Sequence, residues 1–342
     1  MKVNIFDVAK KSGMSIVTVS RVLNNAPTVR EINRQKVLDA IKELNYSPNS
    51  AARTLVRGKT GIIGLTVTAL GDSVFDCIVK TVHDRLKQNG YFLAISILDE
   101  SNGDTEEASN FLFQEDRVDG IIVLSPVQED RYVAELERKG IPFVVVDNQT
   151  ENADFPTINV DNYKGGYEAT NHLLELGHTH IAHISGQVLF LSSRERQKGF
   201  IDALAEEGLT PYLLANSRFG VRSGFQVMQD WIRSGQVPTA VFAGDDAIAL
   251  GVVQALEANG YRVPEDVSVI GYDDQYISEE LNPRLTTIRQ PAVQMGEHAV
   301  FALLDILNHV KPSQTNLRLQ PQLIVRESTA VCKGKNDRNR RD

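Results

Sequence analysis

The chain has too little of several things to be most kinds of protein. Its two cysteines, Cys77 and Cys332, cannot build a disulfide framework, and neither belongs to a Cys-x-x-Cys pair. The longest apolar runs, such as Ile141–Val146 and Gly120–Leu124, fall far short of the roughly 20 residues that span a bilayer. The opening stretch MKVNIFDVAKKSG has no apolar signal core and no cleavage site, so the sequence reads as cytoplasmic. No Gly-x-Gly-x-x-Gly fingerprint or nucleophile elbow occurs. Gly58-Lys59-Thr60 imitates the end of a phosphate-binding loop, but Arg53 holds the position where that loop needs glycine. His178, His180 and His183 are close in sequence, yet on a strand the first two face one side and the third the other, which is poor geometry for a metal. The expectation is a protein that is not an enzyme and carries no metal or cofactor.

What is present is a soluble globular composition, 42% hydrophobic and 23% charged, over 342 residues, enough for two or three domains. The net charge of −8 hides an asymmetry. Residues 1–60 hold eleven Lys and Arg against four acids, a charge of +7, which leaves −15 on the remainder. A basic module on an acidic body is the pattern of a nucleic-acid reader joined to something else, although charge alone fits a solvated surface as well.

The first 47 residues predict three helices. Asn4 caps the first, with Asp7 three residues on and Ile5, Val8 and Ala9 on one face, and Gly13 stops it. Ser15 caps the second, Ile16–Asn24, which turns Val19, Val22 and Leu23 inward. Asn24-Asn25-Ala26-Pro27 breaks the chain, and a third helix over about Glu31–Asn45 buries Val37, Ala40, Ile41 and Leu44. Two short helices around a tight glycine turn form a helix-turn-helix, whose second helix enters the major groove from its N-terminal end. Ile16, Val17 and Arg21 then face base edges, while Ser15, Thr18, Ser20 and Asn24 serve the start of that helix and the phosphates. Arg21 offers bidentate bonding to guanine; Ile16 and Val17 offer apolar contact, as with a thymine methyl.

From residue 61 the texture changes to short β-rich runs alternating with amphipathic helices. Candidate strands are 61–67, 91–98, 118–125, 142–148, 157–161, 180–186, 212–215, 239–244, 267–272, 285–288 and 317–325. Such alternation predicts doubly wound parallel sheets, and about eleven strands are too many for one open sheet, so two lobes with a ligand cleft between them are expected. Polar or aromatic residues fall at strand ends or in adjoining loops: Asp147, Arg196, Phe219, Asp245, Asp273 and Gln290. Each could equally cap a helix or pair with a neighbour.

The runs IFDVAKKSGMSIVTVSRVLNN and VLDAIKELNYSPNSAARTL resemble the head of the lac-repressor (LacI/GalR) family of bacterial transcription regulators, and the order of motifs matches over nearly the whole chain. The resemblance implies a small all-α helix-turn-helix head (1–47), a hinge helix and linker (48–60), and an α/β body (61–332) of two doubly wound parallel-sheet lobes of periplasmic-binding-protein type. One lobe would take about 61–160 and 290–320, the other about 161–289 and 321–332, with a polar tail at 333–342. The hinge helix, Asn49–Arg57, would fold on operator DNA and bring Ala52 and Leu55 to the minor groove, Leu55 wedging into the central step.

In the body, the resemblance makes Arg196 the arginine that clamps an effector, Asp273 the acid of the GYDD motif and Asp147 the acid ending a strand of the other lobe. Phe219 becomes the aromatic beneath the effector, and Gln290 sits at a crossing between lobes. A sugar suits those groups, with the effector opposing or reinforcing operator binding by a homodimer, expected to meet through helices such as Phe75–Gln88. A nucleobase, a protein corepressor, or a sugar-binding protein without DNA function stay open as alternatives. Two departures stand out. Asp245 lies where the lac repressor has asparagine, which favours a donor-rich ligand or a pairing of Asp245 with Arg196. Ile16 and Val17 replace the Tyr-Gln pair that reads lac operators.

Overall fold

The computed structural model describes residues 3–23, 26–46, 59–68, 71–97, 117–126, 129–151, 153–310 and 316–333. The chain divides into two compact units, residues 1–61 and 62–342.

The first unit holds α1 (Ile5–Ser12), α2 (Ile16–Leu23) and α3 (Glu31–Glu43) around a small core of Val8, Ala9, Val19, Val22, Val37 and Ala40. Ile41 and Leu44, expected inside, are only half-buried at its edge. Helix α3 ends two residues early because Asn45 turns to φ +46°, a left-handed conformation that asparagine tolerates. Asn24 and the expected hinge helix with Ala52 and Leu55 lie outside the described residues.

In the second unit the chain runs β1 (Ile62–Val67), α4 (Ser73–Gln88), β2 (Phe92–Ile97), β3 (Gly120–Leu124), α5 (Glu129–Arg138), β4 (Phe143–Val146) and β5 (Thr157–Val160). It continues through α6 (Asn162–Glu175), β6 (Ile181–Ser185), α7 (Leu191–Glu206), β7 (Leu213–Asn216), α8 (Val221–Arg233), β8 (Ala240–Ala243), α9 (Asp246–Ala258) and β9 (Ser268–Ile270). Then follow α10 (Ile277–Glu280), β10 (Thr287–Arg289), α11 (Ala292–Leu307), β11 (Asn316–Leu319) and β12 (Gln322–Ile324). One sheet has the order β11-β5-β4-β3-β1-β2 and a second β7-β6-β8-β9; every pairing within them is parallel. Strands β3, β4, β6 and β8 are buried at every position, as parallel strands covered on both faces must be.

One strand expectation fails. The run 317–325 is two strands: β11 lies parallel to β5 in the first sheet, and β12 runs antiparallel to β10 as a separate pair. Pro321, which lacks an N–H, sits between them and lets the chain change partners without leaving a donor unpaired.

Helices α6 and α7 cross closely because glycine stands where they touch. A Cβ on Gly166 would strike the backbone carbonyl of Arg196, and one on Gly199 the carbonyl of Tyr163. That approach brings the buried Asn162 side chain within reach of Arg196. Gly166→Ala is therefore expected to destabilise the body by about 1–3 kcal/mol, the usual cost of overpacking against rigid backbone. Urea unfolding measures it; an unshifted midpoint would mean that the crossing has room to give.

Candidate functional site

In the head, Asn4 and Asp7 form a reciprocal capping box. Asn4 Oδ1 accepts from the Phe6 amide at 2.9 Å, and the Asn4 amide donates to Asp7 Oδ2 at 2.9 Å. Gly13, at φ +69°, makes the tight turn into α2. Ser15 Oγ accepts from the Thr18 amide at 3.2 Å and bonds the Thr18 hydroxyl at 2.9 Å, so the two hydroxyls organise the start of the helix. With Val19 and Val22 inward, the outer face carries Ile16, Val17 and Arg21. Val17 is 61% exposed and Ile16 39% exposed, unusual for β-branched residues that serve only their own core.

In the body, all six expected cleft residues line one cavity of about 210 Å³. Strand ends place several of them. Asp147 follows β4 at φ +55°, Asp273 follows β9 at φ +107°, and Ser125, which sequence reasoning missed, follows β3 at φ +46°. Three non-glycine residues in the left-handed region at the carboxyl ends of parallel strands mark backbone strained where a ligand would sit. Phe219 lies against the backbone of Gly186, where any side chain would collide with its ring. It also packs with Phe190, ring centroids 5.8 Å apart.

Arg196, 5% exposed, is held from every side. Nε donates to Asn162 Oδ1 at 2.9 Å, Nη1 donates to the Gly244 carbonyl at 2.7 Å, and the guanidinium stacks 3.6 Å from the centre of the Tyr272 ring. Its ion pair runs to Asp273, Nη2 to Oδ1 at 3.4 Å. The alternative of an Asp245 pairing is thus not realised, because Asp245 caps α9 instead, its Oδ1 accepting from the Ile248 amide at 2.6 Å. Gln290 completes the cluster, its Nε2 donating to Asp273 Oδ1 at 2.6 Å. Asp72, Phe75, Gln187, Phe190 and Ser192 also line the cavity and were not foreseen. Asp72 had a legible signal, since it caps α4 through the Val74 and Phe75 amides at 2.8 and 3.1 Å. Phe190 had none within its apolar run.

Burial pushes the Asp273 carboxyl up to about 7 despite the pull of Arg196, and burial pushes Asp245 up to about 6 against its helix-capping bond. Both values exceed the unfolded-chain value near 3.9, so the folded protein keeps protons that the unfolded chain releases. The stability this brings is complete below about pH 4 and is lost as pH rises through 6 to 7. Asp273→Asn cannot ionise. Its stability relative to wild type should therefore improve by about 2 kcal/mol between pH 5 and pH 8, as melting temperatures at the two pH values will show.

The histidines are structural. His178 bonds Thr239, Ser268 and the Ala330 carbonyl at 3.0–3.1 Å. His183 stacks on Phe242 at 4.6 Å, and burial lowers its pKa to about 4. Among the described residues no group of three or more His, Cys, Asp or Glu could hold a metal, and no helix is long and apolar enough to cross a membrane.

A helix-turn-helix unit followed by an α/β body of parallel sheets defines a DNA-binding regulator of transcription. Residues 4–49 match the model of bacterial regulatory proteins of the lacI family, and residues 170–329 the periplasmic binding protein-like domain. The HTH-type transcriptional repressor PurR of Erwinia tasmaniensis is 38% identical over 330 residues, covering 95% of this chain and 96% of the relative. PurR of Haemophilus influenzae is 37% identical over 332 residues, covering 95% and 98%. Among solved structures, the lac repressor dimer bound to operator and the anti-inducer ONPF has a TM-score of 0.89 at 31% identity, covering 96% of this chain and 100% of that one. The complex of the transcriptional regulator CelR with cellobiose has a TM-score of 0.74 at 30% identity, with the same coverage. The chain belongs to the lacI family of bacterial regulatory proteins. It is a DNA-binding transcriptional repressor, as its relatives are, and not an enzyme.

These relatives correct one expectation. The resemblance suggested a sugar as effector, whereas full-length relatives at 36–38% identity are repressors named PurR, and the cellobiose-bound neighbour stands at 30%. Carbohydrate is withdrawn as the effector.

Proposed function

We propose that this repressor binds a near-palindromic operator as a homodimer in the cytoplasm, and that a small planar heterocycle of the nucleobase class, bound in the cleft, sets its operator affinity. One helix-turn-helix reads only a few base pairs, so useful specificity takes two. Ile16, Val17 and Arg21 read bases, while Ser15, Thr18, Ser20 and Asn24 position the helix on the backbone. Ala52 and Leu55, in the hinge segment of 48–60, belong to the same interface. Residues 61–332 sense the effector and pair the protomers.

The observation that carries the effector class is the distribution of uncommitted acceptors around aromatic walls. Asp72 and Asp245, on opposite lobes, each cap a helix, Asp72 accepting from the Val74 and Phe75 amides and Asp245 from the Ile248 and Ala247 amides, and neither takes a hydrogen bond from a side chain among the described residues. Asp273 spends Oδ1 on Arg196 and Gln290, and its Oδ2 takes only a long bond from Gln275 Nε2 at 3.5 Å. The cleft therefore asks for N–H donors on more than one edge, a carbonyl for Arg196, and flat faces for Phe75, Phe190 and Phe219. A cavity of about 210 Å³ takes a one- or two-ring base and little more. Relatives named PurR, at up to 38% identity, support the same reading.

The test is thermal stability against nucleobases, nucleosides and monosaccharides. A base at about 100 times its dissociation constant should stabilise the protein by about 2.7 kcal/mol, and a gel shift with that base then fixes the sign of regulation. Stabilisation by sugars alone would overturn the effector class.

A further inference from the structure

Helix α7 carries Arg196 and Ser192 to the cavity, yet its own N-terminus is left uncapped by its own chain segment. Phe190 occupies the N-cap position and has no side chain able to accept a bond. The missing acceptor comes from the other lobe. Gln149, just beyond β4, takes the Leu191 amide on Oε1 at 2.8 Å. Its Nε2 donates to the Asp147 carbonyl at 2.7 Å, so the same side chain is anchored beside the cavity residue of its own lobe. The bond is returned by Arg194, whose Nη2 donates to the Gln149 carbonyl at 3.3 Å. Nη1 of Arg194 also donates to the carbonyls of Val188 and Leu189, at 2.9 Å each, and so fixes the segment that presents Gln187 and Phe190 to the cavity.

We propose that Gln149 and Arg194 are positioning residues that form a clasp between the lobes: one lobe caps the helix that carries the other lobe's effector-binding arginine. Seating Arg196 and closing the lobes then become one event, because α7 loses its cap whenever the lobes part. This rests on the reading that the cleft holds the effector, but the clasp also has signatures that need no ligand.

The experiment compares the full-length wild type with Gln149→Ala, Gln149→Glu and Arg194→Ala. Without ligand, Gln149→Ala should speed amide hydrogen exchange at residues 191–193 and expand the protein in small-angle X-ray scattering, and Arg194→Ala should expand it likewise. Gln149→Glu, which keeps the acceptor but gives up the bond to the Asp147 carbonyl, should do both to a smaller extent than Gln149→Ala. With guanine as probe, Gln149→Ala should lower affinity by roughly three- to thirtyfold, the range for losing one helix cap, and Gln149→Glu should lower it less. Unchanged exchange in Gln149→Ala, or equal losses in Gln149→Ala and Gln149→Glu, overturns the clasp. So does faster exchange with guanine affinity intact. Failure of guanine to bind the wild type counts against the nucleobase reading alone, and the ligand-free arms still decide the clasp.

Discussion

Arg196→Met should abolish the effect of the effector on operator binding while leaving effector-free operator affinity within about twofold. Arg196 is the cleft's cationic donor among four carboxylates, Asp72, Asp147, Asp245 and Asp273. A charge-assisted hydrogen bond is worth about 1.5–3 kcal/mol, so losing two to the effector implies an affinity at least about a hundredfold weaker. Methionine keeps much of the apolar contact with Tyr272, which confines the loss to charge and hydrogen bonds. Breaking a buried ion pair ordinarily costs about 3–5 kcal/mol. Here the cost should be smaller, because Asp273 already lies near 7 and can take a proton once the guanidinium has gone. Arg196→Lys should fail almost as badly, since one ammonium cannot reach Asn162, Gly244 and Asp273 at the angles a planar guanidinium does. Titrating operator binding with and without the stabilising base checks all of this. A variant that still responds as wild type does would remove the cavity from the mechanism.

Why the six cleft residues were legible and their neighbours were not follows from how each is placed. Asp147 and Asp273 end apolar runs, and a parallel strand that ends in a carboxylate announces the rim of a sheet. Arg196, expected at a strand end or in an adjoining loop, lies instead within helix α7, and only the family resemblance gave it a role in the cleft. Asp72 was readable as a helix cap, but nothing in sequence says that its helix starts at the cleft. Phe190 and Gln187 sit in a loop whose path depends on Arg194 and Gln149, a contact across about 45 residues that no local pattern encodes. The strand split at Pro321 belongs to the same class: the residues favoured extended structure throughout, and tertiary pairing decided which sheet each half joined. The pairing of Asp245 could not be settled from sequence either. A buried carboxylate chooses between a helix cap and a cation by fractions of an ångström, and here the Ile248 amide wins.

In the head the composition of the proposed reading face sets the second large effect. Arg21→Ala should cut the preference for specific over random DNA by about thirtyfold to twenty-thousandfold, because a bidentate arginine–guanine pair discriminates by about 1–3 kcal/mol and the proposed dimer loses two. Ile16 and Val17, both exposed, cannot substitute for it: apolar contact with a thymine methyl senses shape but offers no donor. The salt dependence of binding provides the control. It counts phosphate contacts, so an arginine that reads a base can be removed with little change in slope. Thr18→Ala should behave in the opposite sense. It deletes the hydroxyl paired with Ser15 at the start of the helix and so weakens binding to all sequences alike. The two variants separate the functions of one short helix. If Arg21→Ala instead flattens the salt slope and spares sequence preference, Arg21 lies on the phosphates, and recognition would have to come from the apolar pair and the shape of the DNA.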